Sequence, residues 1–324
     1  MQFTYGLGGM VEYRDTLPWM DPPSRENLVK LHRISNFRNA ITVISVYAQT
    51  ASVVLLCSEV KNIFVYLLCL VLMGRAHMQF GKLSHDAVHR TLFSNRKVND
   101  FAGKWIASYP TAIMFDRSRY YHLIHHAKEL GAKEPELPIY ANYPISKASM
   151  LRKLTRDASG YMGVRNIYHF FVLSPRYRPE DKIYRAKILL VQIFILLVFT
   201  ITVGFEFYFL LLVIPWLTSR RVIERLHAIA EHGGMMPSSD IRLTTHFIRQ
   251  TFIAKFLLMP LNSGHHMAHH IDPQIPFRNL PKLSREMRRS GFIPDEIVHK
   301  NYTSLLRKLT TPSTTGYSEV RIPR

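Results

Sequence analysis

The chain has 324 residues, 47% of them hydrophobic and 20% charged, with a formal net charge of +19. A mean hydropathy of -0.02 excludes a many-helix transporter, and the hydrophobic content excludes a disordered chain. The basic balance points to an anionic membrane surface or nucleic acid, but the sequence carries no nucleic-acid recognition motif.

Taken in order, the first 40 residues are polar and include Asp21-Pro22-Pro23-Ser24. They lack the basic patch and apolar core of a signal peptide and read as a cytoplasmic N-terminal segment. From Ile41 to Cys57, 17 residues carry no charge. After the break Ser58–Lys61, a second apolar run covers Asn62–Gly74 and continues in mixed form to about Gly81. A third run, Ile188–Phe205, has 18 uncharged residues, and beyond Glu206 a fourth covers Phe207–Ser219. A spanning helix needs about 20 mostly apolar residues. The first and third runs meet that directly; the second and fourth do so through flanking residues, such as Lys61, whose long stem can snorkel. The pattern predicts an all-α integral membrane protein with about four transmembrane helices, near 41–59, 61–81, 188–204 and 205–219, in two hairpins. A single membrane domain then covers 41–283, with a cytoplasmic helical cap from 82–187 and 220–283. The remainder, 284–324, reads as a cytoplasmic tail, mobile after Leu309. Cys57 and Cys69 fall inside predicted helices and read as packing residues.

Charge placement orients the hairpins. Of the 42 Lys and Arg, five precede Ile41, twenty lie between Arg75 and Lys187, and sixteen follow Thr218. Only Lys61 sits in the first hairpin turn. The positive-inside rule therefore puts both termini and the middle segment in the cytoplasm.

Eleven of the 16 histidines lie in four clusters. His85 and His89 form H-D-A-V-H; His122, His125 and His126 form H-L-I-H-H; His227 and His232 form H-A-I-A-E-H; His265, His266, His269 and His270 form H-H-M-A-H-H. On a helix, residues three or four apart share a face, while adjacent residues diverge by about 100°. Two helices bearing H-x-x-H-H and one bearing H-x-x-x-H can therefore face two metal ions at once, and neutral imidazole is a common ligand for iron, zinc and copper. Metal-bound imidazoles donate their outer N–H to carboxylates or carbonyls. Asp86 and Glu231 are the favoured partners, with Asp272 and Asp116 also near. His32, His77, His169 and His246 have no partner at ligand spacing and read as structural. The single E-x-x-H, Glu296 to His299, reads as helix surface.

These boxes resemble those of the membrane fatty acid desaturase and hydroxylase superfamily. Asn99-Asp100 with Gly103, Glu134-Pro135-Glu136-Leu137, Ala230-Glu231-His232-Gly233, and the run Pro273, Pro276, Asn279, Leu280 and Pro281 extend the likeness from about Arg75 to Leu283. The resemblance implies a di-iron centre, with dioxygen as co-substrate and an unactivated C–H bond as target. It assigns His85, His89, His122, His125, His126, His232, His266, His269 and His270 as ligands. His227 and His265 stand as a doubtful pair: His227 is poorly spaced from His232, and relatives often carry an aromatic residue at the place of His265. Ala268 stands where relatives place an acid.

The implied reaction is desaturation of a lipid acyl chain; hydroxylation or ketolation of a lipid, alkane or carotenoid uses the same ligands. A non-catalytic metal-binding or transport protein is a third reading. Transport calls for ionisable residues within several spans, and Glu206 is the one candidate in the apolar runs. Trp105–Phe115 and Phe247–Leu261 are apolar enough to lie in the membrane interface. The sequence has no G-x-G-x-x-G fingerprint and no cysteine cluster, so electrons are expected from a separate ferredoxin-like or cytochrome-type protein docking on the basic face.

Overall fold

A computed structural model describes residues 25–173, 178 and 181–311. The Asp21–Ser24 segment and most of the Thr- and Ser-rich C-terminal end lie outside the described residues. Among these residues the architecture is helical, with one pair of two-residue strands.

Among the described residues, three helices are long and apolar enough to cross a membrane. α1 (Asn36–Glu59) and α2 (Ile63–Val88) form the first hairpin. Their 24 and 26 residues span about 36 and 39 Å at 1.5 Å per residue. Asn62 starts α2, its side chain accepting the Phe64 N–H at 2.8 Å, a standard N-cap. α2 runs past the expected end near residue 81. At about 39 Å it is longer than a hydrocarbon core of about 30 Å, and His85 lies in its last turns.

The second hairpin differs more from expectation. Helix α4 (Asp181–Thr202) begins seven residues before the uncharged run. At Gly204 the chain takes a φ of +117, and a Cβ there would meet the Glu206 carboxylate. The fourth run does not form one helix. It is helical at Phe205–Tyr208, widens into a π turn at Phe209–Val213, and resumes at Ile214–Leu217. Pro215 has no N–H to donate along the helix, and Thr218 leaves helical geometry (φ -118, ψ -88). A chain of α5 (Ser219–His232) then continues into the cap.

Burial divides the long helices by role. α1 and α4 turn apolar residues outward, including Ile44, Leu55, Phe194 and Ile201, as lipid-facing helices do. α2 is central: from Cys69 to Val88 it packs against α1, α5 and the turn at Ala102–Ser108. Cys57 and Cys69 are free and buried in the hairpin core. Gly74 permits the closest approach in this bundle, since a Cβ would stand 2.4 Å from Ser219 Oγ and 2.9 Å from the Arg220 nitrogen. Gly74→Val is therefore expected to force α2 and α5 apart and lower stability by roughly 1–3 kcal/mol. Thermal unfolding of the detergent-solubilised protein measures this; an unchanged midpoint would show that the crossing tolerates a side chain.

Trp105–Phe115, expected in the membrane interface, wraps α2 and buries Ala107, Ser108, Tyr109 and Phe115. Three other expectations change. Arg75, at the end of the second run, lies well inside α2 and joins Glu206 as an ionisable residue of the apolar region. Its guanidinium is bound by Gln49 Oε1 at 3.0 Å, Gln79 Oε1 at 2.9 Å and the Phe256 carbonyl at 2.5 Å. Residues 284–311, read as part of a tail, pack into the cap: Met287, Phe292 and Leu305 are fully buried. There β1 (Phe247–Ile248) pairs in parallel with β2 (Val298–His299). Glu296 lies in a 3-10 turn and His299 in β2, so the E-x-x-H segment is not a helix surface.

Candidate metal centre

The site lies where four helices end or begin. The C-terminal turns of α2 carry His85, and His89 caps that helix. Beyond it, Arg90 adopts a left-handed φ of 63 and the helix stops. The exposed carbonyls are not left open. Arg119 donates to the Ala87 and Val88 carbonyls at 2.9 and 3.2 Å, and Asn99 donates to Ala87 at 2.9 Å. Asp100 holds the same Arg119 at 2.7 Å. Arg119 belongs to α3 (Phe115–Lys128), which bears His122, His125 and His126. The Asn99-Asp100 pair thus locks the first histidine segment to the second. α5 supplies Glu231 and His232, and α6 (His266–Ile271) supplies the last three rings.

The structure gathers nine histidines into two groups, each with ligand nitrogens within 4.8 Å of one another. One holds His85, His89, His122, His126 and His269; the other holds His125, His232, His266 and His270. Neighbours in sequence are divided as helical geometry requires. His125 and His126 face different groups, as do His269 and His270, while the i,i+4 pairs His122/His126 and His266/His270 stay together.

Donor atoms meet nose to nose. In the first group the Nε2 of His122 lies 2.8 Å from that of His89 and 3.0 Å from that of His126, and His126 lies 3.1 Å from His269. In the second, His266 Nε2 lies 2.9 Å from both His232 and His270. The outer nitrogens of the second group have partners. His125 Nδ1 contacts Glu134, which also takes the Tyr140 hydroxyl. His232 Nδ1 lies 2.9 Å from the Thr244 carbonyl and 3.1 Å from Glu129. His270 Nδ1 lies 3.2 Å from the other Glu129 oxygen, and His266 Nδ1 lies 3.0 Å from Glu231. Protons committed outward leave lone pairs facing lone pairs, an arrangement that a cation relieves. Nitrogens about 2.1 Å from one metal are about 3 Å apart when at right angles, so the donor set fits metal ions.

Burial supports the same state. It lowers the pKa of His122, His126, His266 and His269 well below the ordinary range, and the crowding of neighbouring imidazoles adds to it. His89 is lowered to about 3 for the same reasons. Neutral rings are the metal-binding form. Burial works against the charge on Glu129, but His270 and His232 outweigh it and hold the carboxyl well below the usual carboxylate range.

The acids do not all stand where spacing suggested. Asp86 Oδ1 is 3.9 Å from His85 Nδ1, beyond hydrogen-bond reach, while Oδ2 accepts the Phe277 N–H at 3.2 Å. Adjacent helical residues point about 100° apart, so Asp86 pins the loop after the last histidine segment instead. Asp272 contacts His32 Nε2 at 2.7 Å, and Asp116 contacts Lys104 at 2.9 Å. Glu129 and Glu134, the two acids that contact His125, His232 and His270, were not singled out by spacing. Both lie close in sequence to H-L-I-H-H, and Glu134 opens the Glu134-Pro135-Glu136-Leu137 segment that carries part of the resemblance.

The doubtful pair stays outside both groups. His227 lies 3.0 Å from the Leu258 carbonyl and 2.7 Å from Glu231, the acid beside His266. His265 precedes the helical turns of α6 and contacts Ser284 Oγ at 2.9 Å. His77 and His246, which have no partner at ligand spacing, are held within the fold: His77 bonds the Leu212 carbonyl at 3.1 Å, and His246 lies 3.2 Å from His299. His32, besides Asp272, bonds the Leu28 carbonyl.

Residues 61–303 match the sequence pattern of the family described as Fatty acid desaturase. The chain is also similar to dihydrorhizobitoxine desaturase of Bradyrhizobium elkanii, 27% identical over 284 residues that cover 80% of this chain and 78% of that protein.

Proposed function

From the premise that the chain belongs to the fatty acid desaturase family, we propose that it is a membrane-bound di-iron oxidoreductase that introduces a double bond into a lipid acyl chain. The observation that carries the reading is the convergence of nine imidazoles on two adjacent foci. Two iron ions, when bound, supply the dioxygen activation needed to attack an unactivated C–H bond. His85, His89, His122, His126 and His269 would hold one ion; His125, His232, His266 and His270 would hold the other.

The remaining residues position and shield these rings. Glu129, Glu134, Glu231 and the Thr244 carbonyl fix ring orientation through the outer nitrogens. Burial of His125, His232 and His269 keeps bulk water from the donor atoms. A lipid substrate enters from the bilayer, which is supported by the short helix Phe252–Leu257: it exposes Phe252 and Ile253, at 83% and 70%, beside α2. In this reading the broken fourth run completes a second hairpin, and the basic segments support a cytoplasmic site with both termini on the same side. Electrons come from a separate ferredoxin-like or cytochrome-type protein.

Lipid mass spectrometry of cells expressing the protein with a reductase tests the reading. The expected product is lighter than its precursor by two hydrogen atoms, consistent with the relative named as a desaturase. A product heavier by one oxygen atom would replace desaturation with hydroxylation. No new lipid, with metal fully loaded, would count against lipid oxidation altogether.

A further inference from the structure

Between α1 and α2, beside Leu261 and Arg278, lies a groove of about 250 Å³. Its polar lining is Arg38, Thr42, Ser45, Gln49, Gln79 and Arg278. Four of these come from α1 at a spacing of three and four, so a polar stripe runs down one face of an otherwise apolar helix. In a lipid-facing helix such a stripe is costly unless something polar meets it.

The groove offers donors rather than acceptors. Arg278 donates from Nε to Asn39 Oδ1 at 2.7 Å, and its Nη2 contacts the Arg38 carbonyl and Thr42 Oγ1. The oxygens of Gln49 and Gln79 are taken by Arg75. Acceptors along the walls are thus already engaged, the Ser45 hydroxyl by the Gln49 amide at 3.0 Å, and among the described residues no carboxylate lines the groove. Asp86, the acid near Arg278, is bound to the Phe277 N–H. Asp86 offsets part of the Arg278 charge from outside the groove, whose lining holds Arg38 and Arg278 with no acid between them among the described residues, and planar guanidinium groups suit the oxoanion of a phosphate.

Position selects the source of that phosphate. Arg38 lies three residues, or about 4.5 Å along the axis, before the uncharged run begins at Ile41. This is the level of lipid headgroups. Ile41 also lines the groove, and it and Ile44 are exposed, offering apolar surface to acyl chains. We propose that the groove binds the phosphate of a membrane phospholipid, held by Arg38 and Arg278, with the lipid tails along Ile41 and Ile44. The inference rests on the membrane reading of α1 and not on the oxidation chemistry, so its failure would leave the proposed activity untouched.

Native mass spectrometry of the full chain in detergent, titrated with dioleoyl phosphatidylglycerol, tests it. Wild type is expected to retain one phospholipid in preference to dioleoylglycerol, which has the same tails and no phosphate. Arg38→Gln and Arg278→Gln should each weaken retention roughly tenfold, the scale of one charge-assisted hydrogen bond. Because Arg278 also ties α1 to the loop after α6, its replacement can disturb folding. Ser45→Leu, at an exposed position, fills the groove with no change of charge and is expected to displace the lipid too. Retention by Arg38→Gln and Ser45→Leu equal to that of wild type, or binding of dioleoylglycerol equal to that of the phospholipid, would overturn the proposal. Inorganic phosphate binding as tightly as the phospholipid would also overturn it, making the groove a soluble-anion site.

Discussion

Replacing His126 with alanine and replacing its neighbour His125 with alanine should each abolish product formation, by removing metal from different places. His126 belongs with His85, His89, His122 and His269, and His125 with His232, His266 and His270. Each variant is therefore expected to fall from about two bound ions to about one, with the other group kept. The activity loss should exceed the roughly 10–100-fold that outer partners of metal ligands cost. Metal analysis of the purified proteins checks the stoichiometry, and the lipid product assay checks the activity. A double variant, His269→Ala with His126→Ala, removes two rings of one group and should resemble His126→Ala alone in metal content. Full activity in His125→Ala would remove that residue from the ligand set. Loss of both ions in each single variant would show one coupled site rather than two.

Glu129→Ala is expected to weaken metal binding by roughly 10–100-fold, selectively at the group containing His232 and His270. This one carboxylate faces the outer nitrogens of both rings, at 3.1 and 3.2 Å, and accepts the Thr245 hydroxyl at 2.9 Å. Its loss frees the His270 ring and leaves that buried N–H without its acceptor, a cost of about 1–3 kcal/mol, while His232 keeps the Thr244 carbonyl at 2.9 Å. Glu129→Gln should be milder, because the amide oxygen still accepts one N–H. Competition against a chelator measures the affinities. A structural role alone would lower thermal stability equally in both variants; a positioning role separates them by metal affinity. Equal affinity in Glu129→Ala and wild type would sink the assignment.

Much of this arrangement was legible before any coordinates. The i,i+4 spacing of His122 and His126, and of His266 and His270, follows from the helical repeat and requires only that the segments be helical. The divergence of His125 from His126 follows from the same repeat. The apolar runs marked α1, α2 and α4 because spanning length is a local property. Their ends were less legible. α2 continues to Val88 because Asn99 and Arg119, distant in sequence, cap its carbonyls. The fourth run breaks because Pro215 and the π turn act inside an apolar stretch whose composition alone looks continuous.

The outer partners show the limit most clearly. Asp86 lies next to a histidine in sequence and points elsewhere; Glu129 lies on α3 but faces His232 on α5 and His270 on α6. By itself, the sequence determined which side chains can bind metal and which helical face each occupies, since periodicity is set by the backbone. Only the tertiary structure decided which faces meet, which carboxylate supports which ring, and where the groove of Arg38 and Arg278 opens. Those choices depend on how separate helices cross, and crossings are governed by close contacts such as Gly74 on Ser219 that no local spacing encodes.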